Sequence, residues 1–370
     1  MNSTNEIPLV DLKIQYQSIK SEINAKIEEV INSAQFVGFK NNPFVRDFET
    51  AFAEFSESKH AIACGNGTDA IEIILRALGI GDGDEVIVPA NSFIASSEAV
   101  SHAGAKPVFV DCHPDYYTID TERIEKAITK KTKAIMPVHL YGLPAEMDEI
   151  LMIAQKYGLK IIEDCAQAHG AKYKNRKVGT FGIASAYSFY PGKNLGAYGD
   201  AGCMVTNDDE LAERLRMWSN HGRTGKYDHA FEGKNSRIDA IQAAVLSVKL
   251  KHLDEWNVKR NSAAKRYFFN LNDSNLVLPN IPDYSYHAFH LFVVRCENRD
   301  ALREKLKKNG IETGVHYPIP LPFLKAYEKY NLSISNYPVS NDYSNKILSL
   351  PLYPELYGES IDYISRILIG

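Results

Sequence analysis

From about residue 60 the chain alternates short apolar runs with amphipathic stretches, and that alternation constrains the fold more than any other feature. The runs are Ala61–Cys64, Glu85–Pro89, Pro107–Asp111, Ala134–Leu140, Leu159–Asp164, Ala184–Phe189 and Cys203–Thr206. Helix-like stretches lie between several of them: Asp69–Leu78, Glu122–Ile128, Met147–Tyr157 and Asp209–Trp218. A strand that is apolar throughout must be covered on both faces. Helices packed on a mostly parallel sheet do this, so an α/β architecture is expected. Capping residues mark the helix starts: Thr68-Asp69 before Ile71, Thr121-Glu122 before Ile124, and Asn207-Asp208-Asp209 before Leu211.

The pattern changes near residue 250. Trp256 to Phe269 reads as a helix, followed by a Pro-, Asn- and Asp-rich stretch from Asn270 to Ser285. An apolar run, His290–Val294, and a charged helix, Arg299–Asn309, come next. Pro318, Pro320, Pro322, Pro338, Pro351 and Pro354 then interrupt the tail too often for a long regular element. We expect a large domain over 1–250, including an N-terminal arm, and a smaller α+β domain over 251–370. A length of 370 residues suits two domains.

Composition removes several classes. With 42 basic against 46 acidic side chains there is no basic footprint for nucleic acid. No apolar stretch approaches the ~20 residues of a membrane span. Met1 to Leu12 carries Glu6 and Asp11 and no apolar signal core, so a cytoplasmic location is expected. Cys64, Cys112, Cys165, Cys203 and Cys296 are scattered singly. Without CxxC or Cys/His ligand spacing, neither a zinc site nor a disulfide framework is expected.

In parallel α/β sheets, ligands bind outside the carboxyl ends of the strands, and four places qualify. In Cys64-Gly65-Asn66-Gly67-Thr68-Asp69 a strand passes through glycines into a helix, where backbone N–H groups can bind phosphate. A plain tight turn is the alternative. A nicotinamide fingerprint fits less well, because the third glycine is missing and Asp84-Glu85 precede the next strand instead of ending it. Asp164, after the apolar run Ile161-Ile162, is either a ligand-edge carboxylate or a helix cap. Lys193, after Pro191-Gly192, is either a solvated loop charge or a lysine that meets a ligand. Phe93, in Pro89-Ala90-Asn91-Ser92-Phe93, is either core or a ring at the ligand edge.

Together these residues supply a phosphate cradle, an aromatic ring, a carboxylate and a lysine at one sheet edge. Pyridoxal phosphate needs that set: a lysine for the Schiff base and an acid beside the pyridinium nitrogen. The lysine, once displaced by an incoming amine, can then move the proton.

These motifs resemble the DegT-type nucleotide-sugar aminotransferases, which have the fold-type I architecture. The resemblance runs through nearly the whole chain. It is carried by Gly65-Asn66-Gly67-Thr68-Asp69-Ala70, Glu163-Asp164-Cys165-Ala166-Gln167-Ala168-His169-Gly170, Ser188 to Gly202, and Asn235-Ser236-Arg237-Ile238-Asp239. It implies that Lys193 holds the cofactor and moves the proton, Asp164 pairs with the ring nitrogen, and Gln167 bonds the ring oxygen. Phe93 would stack on the ring, and Gly67, Thr68 and Ser188 would hold the phosphate. Asn235 would reach the phosphate of the neighbouring subunit, implying a homodimer with shared active sites. Arg237 is similar to a residue near the substrate or donor carboxylate, with a structural ion pair as the alternative. Thr313-Gly314-Val315-His316-Tyr317-Pro318 resembles the small-domain strand facing the site, which adds His316 and Tyr317 as substrate contacts. Many relatives carry a second histidine shortly after it. Here the chain reads Leu321-Pro322-Phe323, so no role is assigned to one.

Asn220-His221-Gly222-Arg223 and Gly225-Lys226-Tyr227 form a basic, glycine-rich stretch suited to a nucleotide diphosphate or simply to solvent. Lysine at 193 favours transamination over the deoxygenating branch, which has histidine there. The run Lys193-Asn194-Leu195-Gly196-Ala197-Tyr198-Gly199-Asp200-Ala201-Gly202 resembles the branch acting on 3-keto sugars. Tyr190-Pro191 before the lysine is similar to enzymes for dTDP-3-keto-6-deoxyhexoses, with L-glutamate as donor and 2-oxoglutarate released. Other readings are a UDP-linked 3-keto sugar, a 4-keto sugar, a non-catalytic cofactor-binding sensor and a nicotinamide oxidoreductase.

Overall fold

The structure, a computed structural model, describes residues 6–38 and 41–370. Residues 1–5, which open the Met1–Leu12 stretch, lie outside the described residues. Seven strands form the main sheet: β1 (His60–Cys64), β2 (Glu85–Pro89), β3 (Lys106–Val110), β4 (Thr132–Ile135), β5 (Lys160–Asp164), β6 (Ala184–Ser188) and β7 (Gly202–Thr206). Their order is β1-β7-β6-β5-β4-β2-β3. β7 runs antiparallel to both neighbours, and every other adjacent pair is parallel.

Each sheet face carries its own core. Ile161 joins a cluster with Phe48, Phe52, Ile87 and Phe189, whereas Ile162 joins one with Ile71, Ile74, Val88 and Met204. This is the period-2 alternation of a doubly covered strand. Helix Pro43–Phe55 buries Val45, Phe48 and Phe52 on the first face. Helix Gly67–Ala77 buries Ile71, Ile74 and Leu75 on the second. The fold is the α/β arrangement expected.

Three boundaries differ for physical reasons. The Ala134–Leu140 run is continuous strand only to Ile135, because Pro137 has no N–H to give the ladder; a single parallel bridge, Val138 to Asp164, follows it. The chain then leaves through the short 3₁₀ turn Leu140–Gly142. The helix expected from Asp69 starts at Gly67, since Asn66 Oδ1 accepts the Asp69 N–H at 2.8 Å and caps it earlier. The proline-rich tail holds two further helices, Pro338–Lys346 and Gly358–Ile369. Pro338 opens the first, where its missing N–H costs nothing, and Gly358–Ile369 begins beyond the last proline.

After residue 250 a separate core forms around β8 (Phe292–Arg295) and β9 (Ile347–Leu350), an antiparallel pair. Helix Leu253–Leu271 contributes Tyr267 and Leu271, and Gly358–Ile369 contributes Ile361 and Ile364. Ile7, Val10 and Ile14, from the N-terminal arm, also pack against this second core.

Candidate active site

The carboxyl ends of β1, β5 and β6 converge on one edge of the sheet. Gly67 and Thr68 open the helix after β1, and Ser188 ends β6. A Cβ placed on Gly67 would lie 2.7 Å from Ser188 Cβ, so only glycine lets these two segments close together. The helix start offers free N–H groups there, as a phosphate requires. Ser236 Oγ accepts the Gly65 N–H at 3.0 Å and donates to Asp69 Oδ2 at 2.7 Å, pinning the 234–238 segment beside this turn. Asn235 itself is exposed and bridges Asn220. Arg237, half-buried, makes no hydrogen bond or ion pair among the described residues.

Asp164 ends β5 and is buried at 4% exposure. Its Oδ1 accepts the Ala166 N–H at 3.1 Å, closing a local turn; no helix starts here, so Asp164 is not the helix cap offered as an alternative. Its Oδ2 accepts from Ser96 Oγ at 2.8 Å, a contact between distant segments. Gln167 is also buried. Its Oε1 accepts the Tyr141 N–H at 2.7 Å, and its Nε2 donates to Tyr317 Oη at 3.1 Å. A second amide proton of Gln167 remains to be given. Phe93 is 51% exposed, which rules out the core reading, and its ring centroid lies 5.6 Å from that of Tyr317. His316 Nδ1 lies 2.8 Å from Ser349 Oγ, and its carbonyl accepts from Tyr141 Oη.

Lys193 is not a solvated loop charge. Its backbone N–H bonds Tyr190 O at 2.8 Å, while its Nζ has no partner among the described residues. Asn194 anchors the turn from below, donating to Asn257 Oδ1 at 3.0 Å and to Ala288 O at 2.8 Å. Burial lowers the Lys193 pKa from 10.5 to about 8, with the Asp164 charge pulling weakly the other way. Burial, reinforced by Lys193, also lowers His316 to about 4, His169 to about 3, and His290 well below its ordinary range. The three imidazoles are therefore neutral at pH 7. A lysine near 8 presents a useful fraction of free amine at that pH, as a nucleophile or proton carrier must.

The sequence profile of the DegT/DnrJ/EryC1/StrS aminotransferase family matches residues 17–368. The chain belongs to this family. The dTDP-3-amino-3,4,6-trideoxy-alpha-D-glucose transaminase of Streptomyces venezuelae is 45% identical, over 95% of this chain and 93% of that protein. A UDP-N-acetyl-3-dehydro-alpha-D-glucosamine 3-aminotransferase of Acidithiobacillus ferrooxidans is 42% identical, over 100% of this chain and 98% of that one. The crystal structure of S. venezuelae DesV in complex with a ketimine intermediate superposes with a TM-score of 0.95 at 44% identity. It covers 98% of this chain and 97% of that one.

As a DegT/DnrJ/EryC1/StrS aminotransferase, the protein is a sugar aminotransferase that works with pyridoxal phosphate. Solved structures with this fold are in PLP and PMP forms. The residues present fit that cofactor. The cradle that only a glycine at 67 permits, the unpartnered Lys193 amine and the buried Asp164 carboxylate are the donor set it requires. Four polar groups escaped the sequence reading: Ser92, Ser96, Tyr141 and His139. Ser96, Tyr141 and His139 have partners distant in sequence, and Ser92 joins them only through Ser96, so local pattern carries no trace of their roles.

The basic stretch after Asn220 folds back on itself. Arg223 Nε donates to Lys226 O at 3.1 Å and His229 Nδ1 lies 2.8 Å from His221 O, while Tyr227 stays 79% exposed. Among the described residues no helix is long and apolar enough to cross a membrane.

Proposed function

We propose that this protein transfers the amino group of L-glutamate to carbon 3 of a dTDP-3-keto-6-deoxyhexose. The product is a dTDP-3-amino-3,6-dideoxyhexose, destined for a surface glycan or an antibiotic sugar. The observation that carries the reading is the free Lys193 amine, with pKa about 8, in a turn whose sequence resembles the 3-keto branch. The two relatives above agree on carbon 3 and differ in nucleotide. Tyr190-Pro191 before the lysine, and the somewhat higher identity of the dTDP-linked relative, favour dTDP.

In this reading Gly67, Thr68 and Ser188 bind the cofactor phosphate, and Asn235 reaches the phosphate of a neighbouring subunit in a homodimer. Phe93 covers the ring face and Gln167 spends its remaining amide proton on the ring oxygen. Asp164 keeps the ring nitrogen protonated, and bound pyridoxal phosphate then supplies an electron sink. Lys193 Nζ carries the proton between the carbon atoms that lose and gain it. Arg237 binds the donor carboxylate by a forked pair of hydrogen bonds. His316 and Tyr317 close the substrate side, and their burial helps to exclude water. The reaction is placed in the cytoplasm, where nucleotide sugars and glutamate are at hand.

Product analysis by NMR tests this, with glutamate, cofactor and dTDP-4-keto-6-deoxyglucose, run with and without a 3,4-ketoisomerase. A 3-amino product that needs the isomerase is expected, and the isomerase that works reports the configuration at carbon 4. Amination at carbon 4 without isomerase would mean the turn after Lys193 had been misread. A UDP-linked 3-keto sugar accepted in preference would move the assignment to the other nucleotide.

A further inference from the structure

The Asp164 carboxylate is held from outside its own segment by a serine. Ser96 Oγ lies 2.8 Å from Asp164 Oδ2, and Ser92 Oγ lies 2.8 Å from Ser96 Oγ. All three side chains are buried, Ser96 at 1% exposure, Ser92 at 3% and Asp164 at 4%. An ionised carboxylate has no proton to give, so Ser96 is the donor in the first contact. Its one proton is then spent, and in the second contact it can only accept from Ser92. Chemistry thus fixes the direction: Ser92 to Ser96 to Asp164.

Position matters as much as direction. Ser96 lies in the first turn of helix Ala95–His102, which follows β2, whereas Asp164 ends β5 two strands away across β4. Among the described residues the other carboxylate oxygen bonds only the Ala166 N–H of its own turn. A carboxylate bonded on one side alone rotates broadly about its last torsion. The serine supplies the second point that stops it. It also stabilises a buried negative charge, which is costly without donors.

We propose that Ser96, backed by Ser92, is a positioning residue for Asp164, holding the carboxylate in the orientation that receives the ring nitrogen of the cofactor. This rests on the role given to Asp164 above. Neither serine touches the reacting atoms. Both act through the one carboxylate.

The test measures binding to apoenzyme of two cofactors, pyridoxal phosphate and its deaza analogue, in which C–H replaces the ring nitrogen. Calorimetric titration of the wild type and of Ser96→Ala gives four dissociation constants. A lost hydrogen bond to a charged group is expected to weaken pyridoxal phosphate binding by about tenfold or more. The deaza analogue gives Asp164 nothing to pair with, so wild type and variant should bind it alike. Equal affinity of Ser96→Ala and wild type for pyridoxal phosphate overturns the proposal. So does an equal loss for both cofactors, the mark of general disruption. Ser92→Ala, one bond further out, should shift pyridoxal phosphate binding in the same direction by a smaller factor, and the same criteria apply to it should Ser96→Ala not fold. Asp164→Asn separates the two layers. If it binds both cofactors as the wild type does, the role of Asp164 falls. If it loses affinity for pyridoxal phosphate alone and Ser96→Ala does not, only the serine's role falls.

Discussion

Glu163 and Asp164 are consecutive buried carboxylates on β5, and the strand's alternation sends them to opposite faces of the sheet. Glu163 accepts the N–H groups of Gly179 at 2.6 Å, Phe181 at 2.7 Å and Gly182 at 2.7 Å. It also meets His139 Nε2 at 3.1 Å. Because His139 Nδ1 accepts the Ala145 N–H at 3.0 Å, the imidazole proton sits on Nε2 and points at Glu163. Each carboxylate oxygen of Glu163 is thus committed twice, tying the 179–182 loop to the strand. Cys165 joins these two in a cluster with the donor types of a metal site, yet the lone pairs that an ion would need already hold backbone protons. Asp164 has one bond from its own turn and one from Ser96, which leaves acceptor capacity at the cleft. In the proposed function, chemistry falls to the carboxylate with capacity to spare, and architecture to the one without.

The same contrast separates two lysines whose pKa values are lowered by desolvation. Lys249 Nζ donates to Gly196 O at 2.8 Å and lies 4.3 Å from the centre of the Tyr198 ring, bracing the turn that carries Lys193. Lys193 Nζ has no partner among the described residues. The largest expected effect in the molecule therefore belongs to Lys193→Ala. It should cut turnover by at least about 10⁴-fold, the upper range for a lost proton carrier, while leaving the unfolding midpoint near wild type. More than a trace of activity in steady-state assays with glutamate and a keto sugar would remove Lys193 from its role.

The two carboxylates give a crossed pair of predictions. Asp164→Asn should lower kcat by about 10²–10³-fold, as for other lost electrostatic contacts, with little change in stability. Glu163→Ala strands three backbone N–H groups and the His139 proton, and should cost about 3–5 kcal/mol in urea unfolding. Its folded fraction should keep most of its kcat. Should both variants lose stability alike, the division of labour across β5 is wrong.

That division was half legible in the sequence. Asp164 and Lys193 could be read because each follows an apolar run, and a strand's end in a parallel sheet is a predictable place. Gly67 could be read for the same reason, whereas Ser188 came only with the family resemblance. Glu163, adjoining Asp164, carried no signal as a bracket, since its partners at 179–182 are a loop that only the tertiary fold returns to β5. Ser96 and Lys249 are likewise defined by contacts 68 and 53 residues away. Pro137 was visible, but its effect on the Ala134–Leu140 run needed the ladder it interrupts. The prolines of the tail suggested irregularity, while the helix Gly358–Ile369 follows them. Local pattern reports where a strand ends; it does not report what reaches that end from elsewhere.

A pH profile sharpens the contrast between the lysines. With its pKa lowered to about 8, Lys193 loses its proton above that value, and only the free amine attacks a carbonyl. The rate at which apoenzyme captures pyridoxal phosphate should thus rise about tenfold per pH unit up to about 8 and then level off. Stopped-flow absorbance between pH 6 and 9.5 measures this. A profile still climbing at the top of that range would indicate a lysine with its ordinary pKa, and hence one not desolvated in the apoenzyme.

The smallest effect is expected from Lys249→Met. The variant leaves the Gly196 carbonyl without its donor, but it also removes an amine whose burial lowers its pKa to about 7. The two changes oppose each other, so a net loss of about 1 kcal/mol is expected near pH 6.5. The sign of the pH dependence follows from linkage. Unfolded Lys249 titrates near 10.5 and folded Lys249 near 7, so between these values unfolding takes up a proton and wild-type stability rises with pH. Below pH 7 both states hold the proton and the contribution is flat at its lowest level. Methionine has no such term, so the gap between variant and wild type should widen from pH 6.5 to pH 9 in urea unfolding. A gap that stays constant over this range would mean that Lys249 stays charged in the fold. It would then brace the turn as an ammonium group, and the two lysines would differ in charge as well as in commitment.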